Sequence, residues 1–268
     1  MKKSFFTVSV LGLVLTLTAC TNVPAPFNFL CENGSGNIIT ETREVAEFDR
    51  INLMVPANLY VSQGDTNSFS IEGDDNLLEE IETDLDGTFL EIELKNSVKC
   101  LNPTQEINIW VTMKEVKELA VSGSGNIVGE TAFETDSLEM RVSGSGKISN
   151  DNQIKADSLE LRISGSGDVD LDVVSKTITT RISGSGNVAL EGVTEIHEFQ
   201  VSGSGELNAY DLDTQKSVLG VSGSGKAELK VSEELEINIA GSGNVKYKGA
   251  PEKVTQNVSG SGSVEKVE

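Results

Sequence analysis

The sequence holds one histidine, one tryptophan, three cysteines, five prolines and few aromatics among its 268 residues. A single histidine rules out a multi-histidine metal centre and leaves little from which to build a serine–histidine relay. Twenty-one basic residues stand against 42 acidic ones, a formal charge of −21. That excludes nucleic acid as a partner, because phosphate binding draws on clustered Lys and Arg. Beyond the first 20 residues no apolar run is long enough to span a membrane. At 37% hydrophobic the chain can still bury a core, which sets aside wholesale disorder. What it has in excess is glycine. Of its 26 glycines, 18 fall in Gly-Ser-Gly triplets, so glycine is a periodic signal and not the composition of a linker.

The start of the chain reads as an export signal. Lys2 and Lys3 precede an uncharged, mostly apolar stretch from Phe5 to Ala19, too short for a comfortable membrane span. It ends in Leu17-Thr18-Ala19-Cys20, which resembles the lipobox of bacterial lipoproteins, where the cysteine becomes the mature N-terminus and carries acyl chains. The alternative is an ordinary secretory cleavage near Ala19 with Cys20 a bystander. Residues 1–19 are thus signal peptide, and residues 20–32 a lipid-anchored tether. Losing Lys2 and Lys3 leaves 19 basic against 42 acidic residues, or −23. Cys31 and Cys100 remain. In an oxidising envelope two leftover cysteines favour a disulfide; the alternative is two buried free thiols.

Internal repeats decide a fold where they exist. Ser-Gly-Ser-Gly begins at Ser122, Ser143, Ser164, Ser183, Ser202, Ser222 and Ser259, and a variant opening on Ala240 fills the gap. The steps are 21, 21, 19, 19, 20, 18 and 19 residues. Alternating apolar positions flank each motif, such as Leu159/Leu161/Ile163 before it and Val169/Leu171 after it. Period-two alternation with β-branched residues is the strand signature, and helical spacing is absent. Units of about 20 residues suit an all-β parallel β-helix, right-handed by the general preference of parallel crossovers. Propeller blades need about 40 residues. The corner glycines are Gly123 and Gly125, Gly144 and Gly146, Gly165 and Gly167, Gly184 and Gly186, Gly203 and Gly205, Gly223 and Gly225, Gly241 and Gly243, and Gly260 and Gly262. A sharp bend needs positive φ or a backbone too crowded for Cβ, and glycine answers both. The serine hydroxyls are expected to bond along their column or to the turn backbone. A phosphate cradle is set aside, since no helix and no in-step lysine follows the motif.

Residues 33–121 lack the motif except at Gly34-Ser35-Gly36-Asn37. They are read as irregular coils or a β-rich cap on the regular stack of 122–268. Asp74 to Ile81 looks like one helical turn. The lipoprotein signal, Gly34-Ser35-Gly36-Asn37-Ile38, Phe48-Asp49-Arg50-Ile51, Gly73-Asp74-Asp75-Asn76-Leu77-Leu78 and Leu119-Ala120-Val121-Ser122-Gly123-Ser124-Gly125-Asn126-Ile127 occur in that order. The chain thereby resembles the bacterial family labelled putative auto-transporter adhesin, head GIN domain, over about residues 33–265. The resemblance implies a β-helix-like fold in an envelope protein of Bacteroidetes-type bacteria. It carries no catalytic residues.

Four features are candidate sites. Arg141, Arg162 and Arg181 stand two residues before successive corners and form a stripe for an anionic ligand, unless the Glu139/Glu160/Glu198 column beside them neutralises it. Eight acids in residues 72–86, Asp74 and Asp75 among them, are a candidate calcium cluster or a solvated acidic face. His197 aligns with inward positions, but Ile196 beside it suggests a bulge that turns Ile196 in and the histidine out. Trp110 is either inter-coil packing or a sugar-stacking platform.

The functional expectation is a non-catalytic outer-membrane lipoprotein, on the cell surface or the periplasmic face. It would present a rigid β-helix to a glycan or an envelope protein, with self-association a further possibility and no cofactor. A structural element of the envelope is the alternative. A β-helix carbohydrate-active enzyme ranks below both, because it would need paired carboxylates converging on a groove.

Overall fold

The structure is a computed structural model that describes residues 31–268. The export signal, Cys20 and the tether up to Leu30 lie outside the described residues. Alternating inward and outward side chains make nearly every segment a strand, and the strands wind into a solenoid of about 7 turns with parallel, stacked coils.

The N-terminal part comprises β1 (Glu32–Asn33), β2 (Ile38–Thr42), β3 (Arg50–Leu53), β4 (Asn58–Gln63), β5 (Ser68–Asp74), α1 (Asp75–Leu78), β6 (Ile81–Asp86), β7 (Phe89–Leu94), β8 (Leu101–Asn102) and β9 (Asn108–Met113). The regular part comprises β10 (Glu118–Gly123), β11 (Asn126–Gly129), β12 (Phe133–Gly144), β13 (Lys147–Gly165), β14 (Asp168–Gly184), β15 (Asn187–Gly203) and β16 (Glu206–Gly223). It ends with β17 (Lys226–Gly241), β18 (Asn244–Lys248), β19 (Lys253–Gly260) and β20 (Ser263–Lys266).

Each coil has a first face ending at its corner, a second face after the corner, and a third that leads back to the first. Registers across β12 to β17 place equivalent residues side by side. On the first face the inward columns are Leu138/Leu159/Ile178/His197/Ser217/Leu235, Met140/Leu161/Thr180/Phe199/Leu219/Ile237 and Val142/Ile163/Ile182/Val201/Val221/Ile239. All of these are buried. Burying one such aliphatic side chain is worth about 1.5–3 kcal/mol, repeated at every step.

The two glycines of a corner answer different needs. The first has positive φ in every regular coil, from +116° at Gly223 to +133° at Gly241. At Gly184 (φ +128°) a Cβ would also lie 2.3 Å from the carbonyl oxygen of Gly165. The second glycine needs no unusual φ, but a Cβ on Gly146 would lie 2.4 Å from the Gly125 carbonyl oxygen and 2.5 Å from Val121. That close approach lets Ser145 N–H donate to Gly123 O (2.9 Å), Ser166 to Gly144 O (2.8 Å) and Ser185 to Gly165 O (2.8 Å), and so on up the stack. The serine hydroxyls do not behave as expected. Among the described residues only that of Ser122 bonds to protein, donating to Asn52 Oδ1 at 3.1 Å. Corner serines face outward, and the backbone alone ties one corner to the next.

The irregular half is a cap as well as coils. On the first face the spatial order is β6, β7, β3, β10, β12; on the second it is β2, β5, β9, β4, β11, β13. The chain therefore builds the coil β3–β4, climbs into the cap, lays β7 and β9 outside that coil, and returns to its other side as β10–β11. Strands β2, β5 and β6 reverse the ladder direction: β6 lies antiparallel to β7, and β5 lies antiparallel to both β2 and β9. Helix α1 buries Leu77 and Leu78 there. Strand β10 pairs with β3 on one side and β12 on the other, so residue 121 marks a change of regularity within one continuous stack. Cys31 and Cys100 form a disulfide 69 residues apart in sequence, and β1 pairs with β8 beside it. Cys31 and Glu32, the two described positions of the 20–32 segment, are thus held by the disulfide and by β1.

Gly184→Ala is expected to cost at least about 2 kcal/mol, because it combines forbidden φ with a backbone collision. Gly220→Ala, whose nearest neighbour would be Gln200 Cγ at 3.7 Å, should stay within about 1 kcal/mol of the parent. Urea unfolding midpoints of the two variants check this, and equal costs would remove the corner from its architectural role.

Candidate functional site

Outward residues of the first face form columns as regular as the inward ones. Two residues before the corners that open at residues 143 to 259 stand Arg141, Arg162, Arg181, Gln200, Gly220, Asn238 and Asn257. Two residues earlier the neighbouring column runs Glu118, Glu139, Glu160, Thr179, Glu198. The three arginines interleave with these glutamates. Arg141 reaches Glu118 at 3.0 Å and Glu139 at 2.6 Å. Arg162 reaches Glu139 at 3.3 Å and Glu160 at 2.7 Å. Arg181 reaches Glu160 at 2.5 Å, and Thr179 stands where its second glutamate would be. The hydrogen bond from Arg141 to Glu139, with help from the Glu118 charge, raises the arginine pKa further. The sequence-derived stripe is therefore a ladder of half-exposed ion pairs, each individually weak. Only Arg181 has one carboxylate partner in place of two.

Beside the ladder runs a groove of about 730 Å³ lined by Arg141, Arg162, Arg181, Gln200 and the corner serines from Ser143 to Ser222. It continues past Gly220 into a second hollow of about 630 Å³ that includes Asn238, Gln256, Asn257 and Ser259. No carboxylate lines either hollow, in a protein with twice as many acids as bases. Asn238 and Asn257 were not singled out from sequence, although the fixed offset of two residues before each corner reveals them. A larger hollow of about 930 Å³ lies where the third face meets the first, around Val174 and Val193. It is lined by seven acids and four bases and cross-braced by Lys176–Asp157 and Lys117–Glu115, each 2.7 Å.

Asp74 and Asp75, the candidate calcium ligands, are occupied by protein donors. Asp74 Oδ1 accepts from Gly36 N–H at 2.7 Å and from the Thr104 hydroxyl at 2.7 Å, while Oδ2 accepts from Thr104 N–H at 2.8 Å. Asp75 Oδ1 accepts from the Ser35 hydroxyl and Asn76 N–H, and Oδ2 from the Asn37 amide. Four carboxylate oxygens are thus engaged by protein donors, which is the wrong arrangement for a hard cation that needs free oxygens. The pair clamps the Gly34–Asn37 loop onto α1. Burial opposes ionisation of Asp74, but the Thr104 and Gly36 hydrogen bonds outweigh it and hold its pKa below the usual value. Bonds from Ser35 and Asn37 do the same for Asp75. Both contributions are complete above pH 3.8 and fade as pH falls through the lowered values.

Trp110 stacks on Tyr60, one coil away, with ring centroids 5.6 Å apart and planes 16° from parallel. Stacked along the solenoid axis, the two rings turn faces toward each other and edges outward. That is inter-coil packing, and it gives a sugar no flat platform between them. His197 takes the literal register and no bulge forms: it pairs with Ile178, is 1% exposed, and Ile196 is 37% exposed. Its Nε2 lies 3.1 Å from Thr180 Oγ1, and the Ser217 hydroxyl donates to its carbonyl at 3.1 Å. Burial lowers its pKa to about 4, so the ring is neutral in the folded protein.

The family described as putative auto-transporter adhesin, head GIN domain, matches residues 47–151 and 138–251. Among solved structures, one named a putative lipid binding protein from Parabacteroides distasonis ATCC 8503 is 30% identical, with TM-score 0.84, over 88% of this chain and 99% of that one. A putative adhesin from Parabacteroides merdae ATCC 43184 is 23% identical with TM-score 0.81, over 88% and 98%. Another putative adhesin from P. distasonis ATCC 8503 is 21% identical with TM-score 0.79, over 88% and 99%. No curated protein matches the chain.

The buried histidine predicts a pH dependence. The folded pKa of about 4 lies below the ordinary histidine value of 6.5, so the unfolded chain takes up a proton first as pH falls. Stability is then full above pH 6.5, declines between 6.5 and 4, and is lower by roughly 3 kcal/mol below that window. His197→Leu should flatten the slope between pH 6.5 and 5.5, above the pH where most carboxylates titrate. Chemical denaturation at a series of pH values reads it, and an unchanged slope would contradict the buried neutral ring.

Proposed function

The chain belongs to the putative auto-transporter adhesin, head GIN domain family, and from that premise we propose that it is a non-catalytic, lipid-anchored adhesin of the bacterial envelope. In this reading it binds an extended glycan along the groove of its first face. The observation that carries the reading is the pair of hollows running from Arg141 to Asn257, which no carboxylate lines, on an otherwise acidic protein. Its donors and acceptors are guanidinium, carboxamide and hydroxyl groups, repeated once per coil at about 4.8 Å. A straight row of equivalent polar groups suits a linear polymer better than a compact metabolite. Among the described residues the corner hydroxyls from Ser122 onward have no protein partner except at Ser122, which leaves them for a ligand's hydroxyls. Arg181, with one carboxylate partner, is the arginine best placed to take an anionic group on that polymer.

The reading as a non-enzyme draws support from the carboxylates nearest the groove. Glu139 and Glu160 are each held by two arginines, whereas a glycosidase acid and its partner must converge on the bond they break. One relative carries the name of a lipid binding protein. In this chain the inward first-face columns from Leu138 to Ile239 are at most 3% exposed, so an acyl chain would have the outer surface only.

Two measurements test the proposal. On a glycan array, the chain from Thr21 onward should retain a linear polysaccharide. Combining Arg181→Ala, Gln200→Ala and Asn238→Ala should weaken that binding about tenfold or more without altering the melting curve, and undiminished binding would remove the groove from the site. In cells making the full chain, Cys20→Ser should move the protein out of the membrane fraction, and continued membrane association would contradict the anchor.

A further inference from the structure

The two poles of the stack are finished differently. One is closed by the antiparallel strands β2, β5 and β6 and by α1, and its edge strand β6 carries Glu82, Asp84 and Asp86. At the other pole, among the described residues, β19 pairs only with β17 and β20 only with β18. All eight residues of β19 are exposed. Val254, Gln256 and Val258 continue the buried columns of Leu235, Ile237 and Ile239. They point where the next coil's core would be, and Val254 is 37% and Val258 44% exposed. An uncharged, regular strand edge invites pairing, and β19 has one charge, Lys253, in eight residues.

We propose that this pole is a homodimer interface, in which β19 pairs antiparallel with β19 of a second copy about a two-fold axis through Gln256. Three observations select a second copy as the occupant. The inward triplet is a palindrome, Val-x-Gln-x-Val. A two-fold centred on Gln256 sets Val254 against Val258 of the second copy and Gln256 against its own equivalent, where two carboxamides can each donate and accept. Moving the axis by one residue in either direction would set a valine against the glutamine. Charge is also permissive: residues 244–268 hold four lysines and three acids, so the repulsion expected between two strongly acidic chains is least at this end. Finally, the opposite pole presents reversed, acidic edges, so head-to-tail growth is blocked and the association closes at two copies.

Cys31, joined to Cys100 beside the β1–β8 pair, lies toward the capped pole with the Gly34–Asn37 loop. The dimer therefore sets the two Cys31 residues toward its opposite ends, a geometry for joining two surfaces. That consequence rests on the lipid-anchored reading; the dimer itself does not, and it is tested without the anchor.

Light scattering on the chain from Thr21 onward, which carries every described element, should give twice the monomer mass at high concentration. After mild oxidation Gln256→Cys should yield a disulfide-linked dimer, since the axis sets it against itself. Val254→Cys alone should not, but mixed with Val258→Cys it should cross-link. The double variant Val254→Lys/Val258→Lys should lose the dimer while keeping the parent melting curve, because both positions are exposed in the single chain. A monomer at millimolar concentration, growth beyond two copies, or self-cross-linking of Val254→Cys equal to that of Gln256→Cys would each overturn the proposal.

Discussion

The structure depends on how closely one backbone corner can approach the next. Each first glycine turns the chain with φ near +125°, and its carbonyl lies where a Cβ of the following coil would be. Because neither coil has that Cβ, the serine N–H of one corner reaches the glycine carbonyl of the corner before it. Fixing the corners fixes the register of every strand that leaves them. Step lengths that vary between 18 and 21 residues are absorbed between the second face and the next first face, where β13–β14, β15–β16 and β16–β17 show their register shifts. The first face stays in phase without interruption. That is why the straight columns, apolar within and polar without, are found there.

A surface built this way is repetitive by construction. Neighbouring positions in a column share one environment, so a local departure from the repeat is informative. Thr179 in place of glutamate leaves Arg181 with a single partner. Gln200, Asn238 and Asn257 in place of arginine end the ion-pair ladder, and Asn238 donates to Glu236 in place of an ion pair. Gln256, at a position that is Ile237 one coil earlier, marks the place where the core stops being internal.

The repeat, the strands and the β-helix were legible in the sequence because corner motif and alternation agree in every unit. The inward histidine was legible too, and the bulge invoked to expel it was unnecessary: Thr180 and Ser217 replace apolar residues beside it, and a neutral ring with polar neighbours can be buried. The cap was less legible. Its strands alternate as the coils do, and nothing local in residues 68–113 signals that β7 and β9 stack outside β3 and β4, since that order is decided by long-range pairing. Asp74 and Asp75 looked like cation ligands because acidic density is visible in a sequence, whereas the donors that occupy them come from Ser35, Gly36, Asn37 and Thr104, about 30 to 40 residues away.

If the corners are the rigid reference of the stack, their amides must be among its slowest to exchange. Hydrogen exchange at Ser145, Ser166, Ser185, Ser204, Ser224 and Ser242, each donating to a glycine carbonyl of the preceding corner at 2.7 to 2.9 Å, measures this directly. The account predicts protection equal to that of the adjacent core strands, lost only with global unfolding. Exchange at the rate of an open loop would mean that the Ser-Gly-Ser-Gly segments are flexible connectors, and that the register is set elsewhere.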